Sequence, residues 1–252
     1  MRYDVILNDA GHDALSVALA VANSMQQLVP QVALNVQDAR RWVDHTPMIL
    51  RRGISHQVAR DMQRAYRKLG AEVAVKPSQL LLPREANDIS EWQNEWFSEH
   101  LIALHESALR DWAQVARVDE GYRFSFLPSL GADMMIRMWS AGETLHATAR
   151  YSIGQIGPMP GPPEHEINWS PTPNEWQNLR TLLTNHRFWD SDSWNTVPEG
   201  YIVLDSIHWV IEGWRNGRYH VLVDQTPNDG AAREVGLLLM ALLPDTFAKP
   251  DI

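Results

Sequence analysis

Between Tyr3 and Pro77 the apolar residues switch period repeatedly, from two to about 3.6 and back. Tyr3 to Leu7 alternates and predicts a strand. Leu15, Ala18, Leu19, Ala22 and Met25 recur at helical spacing, with Asp13 placed as N-cap. A second helix is predicted from about Val36 to His45, ended before Pro47 by the restriction on residues that precede proline. Met48 to Arg51 forms a short apolar link into Gly53. Ser55 then caps a third helix whose apolar stripe is Val58, Met62, Ala65, Tyr66 and Leu69, closed by Gly70 at C′. Ala71 to Lys76 alternates again, up to Pro77. Elements this short need one another's apolar faces, so residues 1–77 read as one small α+β unit of βααβαβ type.

These residues resemble the C-terminal domain of the bacterial ribosomal stalk protein. The likeness rests on Asp4-Val5-Ile6-Leu7, on Ala39 through Val43 with Pro47, and on Gly53-Ile54-Ser55, Ala59, Ala65, Gly70-Ala71-Glu72-Val73 and Val75-Lys76. It implies a docking module without chemistry of its own, the kind that recruits translational GTPases. The residues departing from it are Ala14, Leu19 and Ala22, which stand where that domain presents basic side chains. The basic position in the second helix is kept as Arg40. The resemblance therefore implies a retained scaffold whose familiar binding face has lost most of its charge.

The remaining residues are different in character. The segment 1–77 carries ten Lys and Arg against seven Asp and Glu, leaving twelve basic and twenty-four acidic residues beyond it. An acidic body of that kind disfavours nucleic acid, whose phosphates require neutralisation, and suits a basic protein partner. Ten of the eleven tryptophans lie beyond residue 90, and they are divided between core and interface roles. No cysteine is present, which excludes disulfides, thiolate nucleophiles and zinc–thiolate sites. The start MRYDVILND has no basic and apolar signal-peptide pattern, and no run approaches the roughly 20 apolar residues of a membrane span. The expectation is a cytoplasmic chain with no membrane contact.

Pro77 to Ala86 holds two prolines and no period, so residues 78–87 read as a linker and 88–252 as an acidic, Trp-rich α+β domain. Asp88 to Glu91 predicts a capping box opening one long helix to about Val115. His100 and His105 fall five apart on it, a poor spacing for zinc, and read as surface or half-buried histidines. Tyr122 to Leu127, Met134 to Trp139 and Thr144 to Ser152 read as strands of an antiparallel sheet. Residues 154–163 read as a loop, and Glu164-His165-Glu166 as a solvated charge cluster beside it. Thr172-Pro173-Asn174-Glu175 opens a helix with Trp176, Leu179, Leu182, Leu183 and His186 on one face. Ser206 to Trp214 and Arg218 to Asp224 flank Asn216-Gly217, a strong hairpin signal, and a last helix runs from about Ala231 to Leu243.

A two-residue hairpin loop sets Trp214 opposite Tyr219 and Glu212 opposite Val221. Glu212 then shares a face with Val210, Trp214, Tyr219 and Val223, where a carboxylate is either solvated at an edge or held by a partner. Residues 120–245 also resemble an uncharacterised bacterial domain family through Leu204-Asp205, Trp209, Glu212, Gly217, Arg218-Tyr219-His220 and Thr226-Pro227. That likeness implies kinship and no activity.

No nucleophile elbow, phosphate-binding loop or dinucleotide fingerprint occurs, and the sequence names no catalytic residue, cofactor or metal. The expectation is a non-catalytic protein-binding protein, specifically an immunity protein that neutralises a basic toxin domain by direct contact. Arg40, Glu212, Trp214, Tyr219 and His220 are its candidate partner-binding residues. Two other readings stand beside it. One is a translation-associated factor docking on a GTPase or the ribosome. The other is a hydrolase or transferase using Glu212 and His220.

Overall fold

The computed structural model describes residues 2–28, 36–82, 89–155, 160–192, 194–195 and 206–247; Asp88, Leu204 and Asp205 lie outside them. Its elements form an α+β fold around two sheets.

The first sheet has the order β2-β1-β3, built from β1 (Tyr3–Asp9), β2 (Met48–Ile54) and β3 (Glu72–Pro77), all antiparallel. Helices α1 (Ala14–Leu28), α2 (Val36–Val43) and α3 (His56–Lys68) complete the unit. Val5, Leu7, Val17, Ala18, Val21, Trp42 and Leu50 are its core. The predicted caps form: Asp13 Oδ1 accepts from Ser16 N at 3.1 Å, and Ser55 Oγ from Val58 N at 3.4 Å. The apolar stripe of α3 is rotated from expectation. Val58 is 48% exposed and Ala65 is exposed, while Gln63 is buried beside Ala59 and Tyr66. A buried amide is tolerated there because its Nε2 donates to Val73 O on β3 at 2.6 Å.

The expected linker is packed where it is described. Leu81 and Leu82 are buried, and their backbone is held by Ser98 Oγ and by both polar ends of the Asn94 amide. The expected single helix is two helices, α4 (Glu91–Ala103) and α5 (Leu109–Val115). The α4 capping box uses Ser90 and Gln93. The break has a clear cause. His105 adopts a left-handed conformation at φ 59, which turns Glu106 inward to meet three arginines of the sheet.

The second sheet has the order β7-β6-β5-β4-β9-β10-β8. Its strands are β4 (Glu120–Pro128), β5 (Met134–Ala141), β6 (Thr144–Ser152), β7 (Pro163–Trp169), β8 (Trp194–Asn195), β9 (Ile207–Arg215) and β10 (Arg218–Gln225). All neighbours are antiparallel except the two-residue β8, which runs parallel to β10. Strand β7 takes in Glu164-His165-Glu166. It is an edge strand, and charged edges discourage further pairing. The hairpin register is as expected, with Tyr219 opposite Trp214 and Val221 opposite Glu212, and Asn216 and Gly217 both at positive φ.

Alternation gives this sheet two covered faces. One face carries Tyr122, Phe124, Phe126, Ile136, Trp209, Ile211 and Leu222 beneath α6 (Pro173–Asn185) and α7 (Gly230–Ala241). Helix α7 lies close because Gly236 has no side chain: a Cβ there would stand 2.5 Å from Trp209 and 2.6 Å from Phe124. The other face meets α4 and α5 through Phe97, Leu101, Leu109 and Ala113 against Leu127, Val210, Val221, Val223 and Trp214. Among the described residues no helix is long and apolar enough to cross a membrane.

Candidate functional site

The second face also holds charge. Arg123 on β4 stands directly between Arg137 on β5 and Glu212 on β9. Arg123 Nε donates to Glu212 Oε2 at 2.7 Å, and Tyr219 Oη donates to Glu212 Oε1 at 2.9 Å. Glu106 reaches in from the α4–α5 turn. Its carboxylate accepts from Arg123 Nη1 at 2.9 Å, from Arg150 Nη1 at 2.6 Å and from Arg137. Arg150 also binds Glu166 at the rim, so three guanidiniums meet three carboxylates. Trp112 lies over Arg137 at 3.9 Å.

Burial pushes the Glu212 carboxyl up, opposed by Arg123 and Tyr219. Burial lowers Arg137 to about 10 against the pull of Glu106. The Tyr219 hydroxyl is held far above its ordinary range, first by burial and then by Glu212. Each residue of the network pairs with another inside the fold, although Arg123 Nη2 and Arg137 Nε lack hydrogen-bond acceptors, so the network acts as a structural core rather than an open site.

These positions correct the candidate binding set. Glu212 is 0% and Trp214 6% exposed, so neither offers a surface to a partner. Trp214 Nε1 is used on Val118 O at 3.3 Å. Tyr219 is half-buried with its hydroxyl turned inward to Glu212. Arg40 is exposed on α2 and paired to Asp44 at 2.8 Å. His220 projects from the opposite face, with its ring 4.9 Å from that of Phe188 and its Nε2 3.3 Å from Ser191 Oγ. The sheet therefore separates Glu212 from His220, and they cannot share a proton-transfer step at one substrate.

Of the two histidines of the middle segment, His105 lies at the surface as expected and His100 does not. His100 is 1% exposed, and its Nδ1 lies 2.9 Å from each carboxylate oxygen of the equally buried Asp133. His105 is exposed and meets Pro47 O at 2.7 Å through Nε2. Among the described residues no group of three or more His, Cys, Asp or Glu is arranged to hold a metal ion.

An open cleft lies elsewhere, between the first sheet and α4. Its volume is about 510 Å³, and it is lined by Arg2, Arg52, Gly53, Ser78, Leu80, Glu91, Glu95 and Glu99. The three glutamates are four residues apart, so they follow one face of α4 at roughly 6 Å intervals. On the opposite wall Asp4 accepts from Arg52 Nε and Gly53 N, both at 3.2 Å. Arg52 Nη2 donates to Gln79 O at 2.7 Å, while its Nη1 is buried without a hydrogen-bond partner among the described residues. Arg2 crosses the mouth to Glu95 at 3.1 Å. Asp4 and Arg52 form one ion pair and Arg2 and Glu95 another, while Glu91 and Glu99 make none among the described residues, Arg51 and His100 acting on Glu99 only through space. Glu99 makes no hydrogen bond or ion pair among the described residues, and burial pushes its carboxyl up while Arg52 opposes this through space. Trp92 stands beside the row, 71% exposed. The glutamate spacing is readable in the sequence; its meeting with Arg2 and Arg52 is not.

No protein-family model matches the chain, and no curated protein is significantly similar to it.

Proposed function

We propose that this is a protein-binding protein of the bacterial cytoplasm, an immunity protein that holds and neutralises a basic toxin by direct contact. The observation that carries the reading is the cleft along α4, with its row of three carboxylates and the exposed indole of Trp92 beside them. Carboxylates at a cleft mouth attract cationic partners and speed their encounter. The acidic balance of residues 78–252 acts in the same sense. The strongly perturbed groups on the sheet are bonded to one another, so the cleft is where ionic recognition is open to solvent.

The test is affinity purification from the native cells. A single stoichiometric basic protein is expected, one that arrests growth when produced alone and ceases to do so when this chain is co-produced. Recovery of a partner whose toxicity is unaffected contradicts neutralisation.

One observation favours a second reading, in which the stalk-like module docks on a translational GTPase. Leu15 and Leu19 lie one turn apart on α1 and are 54% and 42% exposed. An exposed aliphatic pair suits a partner's apolar pocket. Recovery of elongation factors or ribosomes, lost on changing both leucines to serine, supports this alternative over neutralisation.

A further inference from the structure

We propose that the cleft between the first sheet and α4 receives an extended basic peptide segment, with a guanidinium or ammonium on Glu99 and a backbone carbonyl accepting from Arg52 Nη1. The proposal rests on the reading above and adds the place and chemistry of the contact.

Two independent observations define the ligand. The first is the wall of α4. Among the described residues neither Glu91 nor Glu99 makes an ion pair, and the half-buried Glu99 accepts no hydrogen bond, with Arg52, His100 and Arg51 acting on it only through space. A carboxylate in that position is improved by a cationic donor. The second is the facing wall. The Arg52 side chain is 9% exposed and lines the cleft, with two of its nitrogens bonded and Nη1 unsatisfied. A buried donor without an acceptor costs free energy that a ligand oxygen restores.

The ligand must therefore carry cationic donors and a neutral acceptor together. A basic peptide does so at every residue. A linear polyamine supplies the cations and has no oxygen to accept from Arg52. Spacing agrees as well: alternate side chains of an extended peptide recur about every 6.6–6.8 Å, close to the roughly 6 Å between successive glutamates of the helix.

Arg2 already occupies the mouth. Its pair with Glu95 leaves both side chains well exposed, at 64% and 39%, and exposed pairs contribute little stability. An incoming cation displaces it at small cost. Arg2 is thus a built-in competitor of the ligand, and removing its charge strengthens binding.

The experiment is calorimetric titration of the full chain with an acetylated, amidated peptide of alternating arginine and glycine. Parallel arms use the same peptide with citrulline for arginine, and spermidine. One-to-one binding of the arginine peptide is expected, weakened about tenfold or more by Glu99→Gln and tightened about two- to fivefold by Arg2→Gln. The citrulline peptide and spermidine are expected to bind at least tenfold more weakly. Opposite effects of two substitutions facing one cleft are not produced by loss of folding, and Arg2→Gln alters an exposed side chain. Unchanged affinity in Glu99→Gln overturns the site while leaving a basic partner in place. Spermidine binding as tightly as the peptide overturns the peptide assignment. Failure of the arginine peptide to bind overturns the proposal, whereas the neutralisation reading is judged separately on the co-purified partner.

Discussion

Arg123 and Glu212 face each other across β4 and β9 with 2.7 Å between Nε and Oε2, and neither side chain is exposed. Two charges withdrawn from water are tolerated only while each keeps its partners. Replacing Glu212 by Leu strands Arg123 and is predicted to cost roughly 3–5 kcal/mol. Adding Arg123→Met removes the stranded charge, so the double variant is expected to be less destabilised than the sum of the singles. Denaturant midpoints for the four proteins of the cycle measure the coupling, and strict additivity would show that the pair is energetically independent.

Glu106 is the hub of the same network, and Glu166 its rim. Glu106→Gln leaves Arg123, Arg137 and Arg150 close together with reduced compensation, and a loss of about 3–5 kcal/mol is expected. Glu166→Gln, at a carboxylate 43% exposed, is expected to cost under about 1 kcal/mol. Equal losses at the two positions would contradict the burial argument.

Packing of α7 gives a third prediction. Gly236→Ala places a methyl group within 2.5–2.6 Å of the Trp209 and Phe124 rings, and overpacking of this kind costs roughly 1–3 kcal/mol. Near-UV circular dichroism reports the tryptophan environment, and thermal unfolding reports the loss.

Much of the architecture was legible in local pattern. Asn216-Gly217 fixed the β9–β10 register, and with it the face shared by Glu212, Trp214 and Tyr219. Thr172-Pro173-Glu175 marked the start of α6. The partners of Glu212 were harder to find. Arg123 lies 89 positions away, and only the strand pairing joins them. A signal was nevertheless present, since Arg123, Arg137 and Arg150 each interrupt a predicted strand at its interior. The break between α4 and α5 left no local mark. The residues at the turn keep helical composition, and tertiary pairing of Glu106 decides the outcome. The cleft likewise depends on two segments meeting, which no single periodicity records.

Acid stability offers a fourth prediction. His208 packs against Trp96 and Phe97, and burial lowers it to about 4, with His100 as a smaller cause. The unfolded chain takes up this proton near 6.5, the folded chain only near 4. Stability from the neutral ring is therefore intact above about 6.5 and is lost as pH falls from there toward 4. The loss reaches at most about 3 kcal/mol. His208→Gln is expected to flatten that limb of the stability–pH curve relative to the parent protein. Parallel curves would show that His208 does not carry it.

Glu99 links stability to binding with opposite signs. Its carboxyl is pushed up by burial, so the penalty of ionising it is absent at low pH and grows as pH rises through its folded value. Glu99→Gln is accordingly expected to raise Tm at neutral pH, and a fall in Tm would contradict the enclosed, unpaired carboxylate.

The most direct measurement of the whole account is the affinity of the co-purified partner for the parent chain and for the Glu91→Gln, Glu99→Gln double variant across a range of salt concentrations. The account predicts tight binding that weakens steeply with salt, a loss of about a hundredfold in the double variant at low salt, and a shallower salt dependence once the carboxylates are gone. Equal affinity and equal salt slope for the two proteins would place recognition outside the cleft and contradict the account.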